Sequence, residues 1–141
     1  MEKIVQHYLF KREIVVLKDF YTINLDSFKD KRGNLIPFQQ GKNCPFEIQR
    51  AFVINNVPNN KISRGNHINI ASKCLLIALS GEVTITCKNE EKEETFLLND
   101  NEIGLFINNG VYRKLFNFSS DAILLCLSDT KYEPTEYITQ N

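Results

Sequence analysis

The chain has 141 residues, 43% of them hydrophobic, which suits one domain built round one core. Its 17 basic and 17 acidic residues cancel, which argues against nucleic acid or a membrane surface as partner and leaves a small anionic ligand, served by a few local arginines, as the open class. The first residues lack an apolar stretch followed by a small-residue cleavage site, and no apolar run reaches the roughly 20 residues of a membrane-spanning helix, so the expectation is a cytoplasmic protein.

Residues 1–19 are weakly patterned. Within them Ile14-Val15-Val16-Leu17 suits an extra or exchanged edge strand, and His7 reads as a solvated residue without a function. From there strand-like runs recur with almost no helical periodicity, at 20–25, 35–40, 48–55, 61–69, 73–79, 82–87, 93–98, 103–107, 111–117 and 122–128. Polar clusters separate them, among them Ser80-Gly81 and Asn108-Asn109-Gly110, which supply the positive φ of tight turns. Residues 132–138 read as a short terminal turn. Regular short strands at this spacing predict an all-β closed barrel or sandwich in a single domain spanning 1–141.

Two segments indicate the interior. In 82–87, Val83, Ile85 and Cys87 alternate with Glu82, Thr84 and Thr86, the pattern of a half-solvated strand. Segments 74–79 and 122–127 are apolar on both faces, so each needs a second cover, either another layer of this chain or another subunit. Cys44, Cys74, Cys87 and Cys126 form no CxxC pair, and the last three lie in apolar or alternating runs, as reduced core thiols do.

Chemistry centres on His67. If 61–69 is a strand, Ser63, Gly65, His67, Asn69 and Ala71 share one face, small and polar, and Ile62, Arg64, Asn66, Ile68 and Ile70 the other. Such a face inside a barrel suits a lined cavity, since unmet polar groups in a packed core cost about 1–3 kcal/mol each. His67 is then either a functional imidazole or a hydrogen-bonded structural one. Arg113 sits between apolar Val111 and Leu115 on its own face and needs an anionic partner, either a carboxylate of the protein or a ligand's phosphate or developing oxyanion. Arg50, sharing a face with Phe52, poses the same choice. Arg64 either serves a diphosphate or caps the sheet, and Arg32 sits in a turn that can present it to a ligand. One imidazole without carboxylates is too poor a donor set for a transition metal, so no metal site is expected.

The ordered series Asp30-Lys31-Arg32-Gly33-Asn34-Leu35, Cys44-Pro45-Phe46-Glu47-Ile48-Gln49-Arg50-Ala51-Phe52, Arg64-Gly65-Asn66-His67, Leu79-Ser80-Gly81-Glu82-Val83, Ile103-Gly104-Leu105-Phe106-Ile107 and Glu136-Tyr137-Ile138 resembles the nucleotide-sugar 3,4-ketoisomerases over roughly residues 20–138. Those enzymes act on dTDP-4-keto-6-deoxyglucose in making 3-amino sugars. The resemblance implies a cupin-type double-stranded β-helix (a jelly-roll barrel), a homodimer that exchanges N-terminal strands, no cofactor or metal, and a dTDP-linked 4-keto-6-deoxy sugar as substrate, in the synthesis of deoxysugars for surface polysaccharide such as lipopolysaccharide. It implies His67 as general base and Arg113 as a substrate contact. It departs from the family pattern at Phe52 in place of a tyrosine, Asn69 in place of a second histidine, Ile70 in place of a lysine and Cys74 in place of a glutamine.

The expected reaction removes the C3 proton beside the C4 ketone, passes through an enediol and reprotonates at C4. His67, Asn69 and Arg113 are the expected catalytic residues, Asn69 and Arg113 as donors to the enediolate; Arg32, Arg50, Phe52 and Arg64 are the expected substrate-binding residues. The alternatives from the sequence are a non-catalytic sugar-nucleotide-binding cupin and a related epimerase or lyase on the same barrel.

Overall fold

A computed structural model describes residues 18–139. The described residues form fourteen strands in order: β1 (Phe20–Asn24), β2 (Phe28–Asp30), β3 (Gly33–Leu35), β4 (Gln39–Gln40), β5 (Asn43–Cys44), β6 (Arg50–Asn55), β7 (Arg64–Asn69), β8 (Cys74–Ser80), β9 (Val83–Lys88), β10 (Glu93–Leu98), β11 (Ile103–Ile107), β12 (Tyr112–Phe116), β13 (Ile123–Ser128) and β14 (Tyr137–Thr139). Two antiparallel five-stranded sheets, β1-β11-β8-β13-β6 and β10-β9-β12-β7-β14, face each other as a double-stranded β-helix. Sequence neighbours such as β8 and β9 lie in different sheets, so the chain crosses between layers at the Ser80-Gly81 turn. A side chain could not replace Gly81 there: its φ is +65°, and a Cβ would stand 2.6 Å from Oδ1 of Asp121.

Periodicity of two sets the core. On β9, Val83, Ile85 and Cys87 are buried while Thr84 and Thr86 are half-exposed. They pack between the sheets with Phe20, Leu76, Ala78, Leu98, Leu105, Ile107, Val111 and Leu124. Each fully buried aliphatic side chain of this kind contributes about 1.5–3 kcal/mol.

The outer face of the first sheet forms a second cluster. Leu75 and Ile77 of β8, Phe106 of β11 and Leu127 of β13 are covered by Leu25, Cys44 and Phe46, with Ile36, Phe38 and Ile48 packed against them. The second cover required by the two-faced apolar strands is thus this chain's own segment 25–48, and that pattern alone carries no argument for another subunit. The segment is made of two small pairs, β2-β3 and β4-β5, where the sequence predicts one strand over 35–40. The terminal turn exists as a single 3-10 turn (Pro134–Glu136), but it leads into β14, which pairs with β7. His7 and the expected exchanged strand at 14–17 lie outside the described residues.

Candidate active site

Between the sheets, near the β7–β12–β14 side, lies a cavity of about 590 Å³. Strand β7 supplies Arg64, Gly65, His67 and Asn69; β12 supplies Arg113 and Leu115; β6 supplies Arg50, Ala51, Phe52 and Ile54. Cys74, Leu76 and Cys126 form its floor, and Tyr132 and Tyr137 close it from the C-terminal side.

A bulge in β7 arranges this face. Arg113 of β12 is opposite His67, but the next residue, Lys114, is opposite Gly65, so Asn66 is the extra residue. Gly65 and Asn66 both have positive φ, +80° and 58°, which glycine and asparagine tolerate best. The bulge breaks the simple alternation predicted for 61–69: Arg64, assigned by alternation to the face opposite His67, lines the same cavity.

Nδ1 of His67 lies 2.9 Å from the carbonyl oxygen of Gly65. A carbonyl only accepts, so Nδ1 carries the hydrogen and the lone pair of the neutral ring is on Nε2. The ring of Tyr137 meets the imidazole edge-on, with centroids 4.8 Å apart. Burial, the largest influence, pushes the imidazole below its usual pKa, and Arg113 pushes the same way. The Gly65 carbonyl, Asn69 and Glu136 pull it up to a smaller extent. The result is an imidazole that takes up a proton less readily than a free one.

Arg113 is 4% exposed. Nη1 donates to Sγ of Cys74 at 3.4 Å, Nη2 donates to the carbonyl of Val111 at 3.2 Å, and Nε has no partner. Sulfur is a weak acceptor, and the ion pairs among the described residues join other side chains. Of the two partners expected for Arg113, the carboxylate of the protein is therefore not the one present. Arg50 is in a similar state: Nε is buried without a partner, Nη2 reaches Oγ of Ser128 only at 3.5 Å, and the guanidinium lies 5.4 Å from the ring centre of Phe52 and 5.7 Å from that of Tyr132. The cavity thus gathers three guanidinium groups without a carboxylate on them, a setting for an anionic ligand.

Asn69 is 3% exposed and points its Nδ2 at Glu136, not at open space. Its oxygen has no partner, so the group it leaves free is an acceptor. This changes the expected role of a donor to the enediolate. Glu136, half-hidden in the sequence as part of a terminal motif, is buried and accepts the backbone N–H groups of Ala71 and Ser72, the Ser72 hydroxyl and Asn69. Arg32 is not brought to this cavity: it lies in the β2-β3 turn, with a side chain 90% exposed and paired with Asp30 at 2.6 Å. The residues that sequence reasoning did not single out are Tyr132, Tyr137, Ser72 and Glu136. Their only signal was a carboxylate between Thr135 and the apolar pair Tyr137-Ile138.

All four cysteines are buried and free. Burial pushes the Cys87 thiol up to about 12 and Cys126 higher still, so both are inert neutral groups. Among the described residues no group of three His, Cys, Asp or Glu side chains is placed to hold a metal ion, and no helix is long and apolar enough to cross a membrane.

A two-layered jelly-roll with a histidine and arginines in its hollow is a cupin-type barrel, and known proteins share this fold. Residues 18–141 match the family described as WxcM-like, C-terminal (FdtA), and the chain belongs to that family. The TDP-4-oxo-6-deoxy-alpha-D-glucose-3,4-oxoisomerase of Aneurinibacillus thermoaerophilus is 28% identical over 118 residues, 84% of each chain. The solved structure of WlaRA, a TDP-fucose-3,4-ketoisomerase from Campylobacter jejuni, superimposes with a TM-score of 0.84 at 32% identity, covering 87% of this chain and 90% of the other. The 3,4-ketoisomerase QdtA of Thermoanaerobacterium thermosaccharolyticum, solved in complex with TDP, gives 0.81 at 34% identity over 88% and 90% of the two chains. The expected cupin-type fold and family are the ones found.

Proposed function

We propose that this chain is a sugar-nucleotide 3,4-ketoisomerase that interconverts a TDP-linked 4-keto-6-deoxyhexose and its 3-keto isomer. The observation that carries the reading is the pairing, across one β-bridge, of a histidine with a free Nε2 lone pair and a buried arginine without a carboxylate. Nε2 takes the C3 proton; the Arg113 guanidinium receives the negative charge that develops on the C4 oxygen of the enediolate; the proton of the C3 hydroxyl passes to that oxygen; and His67 returns its proton at C4, leaving the ketone at C3. The C4 ketone acidifies the hydrogens at both C3 and C5; removal at C3 defines the isomerase, and a single base serves C3 and C4 because they are adjacent.

Arg50 and Arg64, with Phe52 and Tyr132 at the mouth, are the groups for the diphosphate and the rest of the nucleotide. The relatives' names and complexes agree with this ligand class. Arg32 remains a substrate-binding residue only if it reaches a cavity other than that of its own chain, as in the homodimer that the family resemblance implies. The place of action is the cytoplasm, where nucleotide sugars are made, and the product suits a deoxysugar of surface polysaccharide.

The test is to incubate the protein with TDP-4-keto-6-deoxyglucose in deuterated water and follow the sugar by NMR. A 3-keto product with solvent hydrogen entering at C3 and C4 is expected. Binding of the sugar nucleotide without any conversion or exchange would leave a non-catalytic binder in its place, and exchange at C5 would leave an epimerase.

A further inference from the structure

Glu136 is not needed for any step above, yet it is the most fully coordinated side chain beside the cavity. It is 7% exposed. Oε2 accepts the backbone N–H groups of Ala71 at 3.1 Å and Ser72 at 3.0 Å, and Oε1 accepts the Ser72 hydroxyl and Nδ2 of Asn69, the latter at 3.3 Å. All four of these partners are donors, so toward each of them the carboxylate is the acceptor. The amide of Asn69 therefore has one orientation, nitrogen toward Glu136 and oxygen away from it, and its side chain is close enough to the imidazole to act on it as a hydrogen-bonding group. That oxygen is buried and has no partner. A buried acceptor without a donor is destabilising, and the penalty disappears when a donor arrives. In the proposed reaction a donor does arrive, because His67 acquires a second ring proton.

We infer that Glu136 is a positioning residue acting through Asn69: it holds the Asn69 oxygen toward His67, where that oxygen steadies the imidazolium formed when the C3 proton has been taken. The inference rests on the isomerase reading. Asn69 cannot shuttle a proton as an imidazole can, but an oriented amide oxygen can hold one in place. An interaction present only after proton transfer lowers the barrier without tightening substrate binding, so it acts on kcat more than on KM.

The charged and titratable groups round the ring are Arg113 from β12, Glu136 from the terminal turn, Tyr137 from β14 and Arg64 from β7; Arg50 and the Cys74 thiol line the same cavity from β6 and β8. Glu136 itself also has an indirect route, since removing its charge lowers the His67 pKa through space as well. A double-mutant cycle separates the two routes. Glu136→Gln keeps an oxygen for the Ala71 and Ser72 N–H groups, so the terminal turn stays docked, but offers an NH2 group to Asn69 and turns that amide round. Asn69→Leu removes the amide, and Asn69→Ser, too short to bridge, replaces it should the leucine variant fail to fold.

kcat, KM and the His67 pKa by NMR titration are measured for each single variant and for the double. Glu136→Gln alone is expected to lower kcat about tenfold, the worth of one hydrogen bond to a charged group, with KM within about twofold. In the Asn69-substituted background the same change should alter kcat by less than about twofold. The His67 pKa should fall on Glu136→Gln, and fall less when Asn69 is absent. Equal changes in both backgrounds would mean that Glu136 works through space or through the fold alone, and would overturn the inference; so would an unchanged kcat and pKa in Glu136→Gln. The NMR titration needs no turnover, so an inactive wild-type chain would sink the isomerase reading while the comparison of backgrounds still decides this one.

Discussion

Two regions of the inter-sheet space are lined by the same strands and serve opposite ends. Toward β9–β11 it is filled by Val83, Ile85, Leu98, Leu105 and Ile107, each at most 1% exposed, with Phe20 packed among them. Toward β7 and β14 it opens into the cavity that holds His67, Asn69 and Arg113. Strand β12 contributes to both kinds of surface: Arg113 and Leu115 are buried two residues apart on one face, and Val111, just before the strand, is buried with them. The apolar half gains from each atom it removes from water. The polar half desolvates a guanidinium without giving it a carboxylate, which works against stability. An anionic ligand at this position would bring the missing charge.

Substitutions on either side break or sharpen this contrast. The largest effect is expected for His67→Ala, which removes the base and should lower turnover of TDP-4-keto-6-deoxyglucose by about 10²–10⁴-fold while the thermal midpoint stays near the wild-type value; a variant with full activity would remove His67 from the mechanism. Next is Arg113→Met. It should lower kcat/KM by about 10²-fold, the order seen on losing one oxyanion donor, and should hold or raise the thermal midpoint, because an uncompensated buried charge has been replaced by a side chain that fills the same space. A large fall in the midpoint would show that Arg113 is structural and would dissolve the contrast from its polar side. In the apolar half the signs reverse. Ile85→Ala should cost about 2–5 kcal/mol in denaturant unfolding and leave kcat/KM within about threefold at temperatures where the protein is folded.

The strands of both halves were legible for two reasons: β9 alternates apolar and polar residues, and β8, β11 and β13 are short apolar runs between turn signals. His67, Asn69 and Arg113 were legible as polar residues at positions the alternation turns inward. Arg64 was placed on the wrong face because alternation assumes an unbroken register, and the Gly65-Asn66 bulge shifts it by one. The sign was present in the sequence, since both residues tolerate positive φ, but Gly-Asn also fits an ordinary turn. The place of Glu136 beside the site was not legible, for another reason. Its partners Ala71 and Ser72 lie 65 and 64 residues away and are mostly backbone N–H groups, which no side-chain pattern announces. The donor role expected of Asn69 failed with it, because which end of an amide faces a cavity is decided by the neighbour holding the other end.

The smallest effect expected is on pH. Burial disfavours the charged imidazole, so the folded-state pKa of His67 lies below its ordinary value of about 6.5. The base must be neutral to take the C3 proton, hence activity falls only as pH drops through that lowered pKa, and the acidic limb of kcat/KM, which reports the free enzyme, belongs below about 6.5. Arg113→Met provides the internal check. The guanidinium beside His67 disfavours the imidazolium, so removing it should move the acidic limb back up toward the ordinary value even as the rate at every pH falls. A limb that stays put in Arg113→Met would mean that the two groups, although opposite one another on adjacent strands, are screened from each other, and the polar half of the molecule would then be a set of separate sites and not one electrostatic unit.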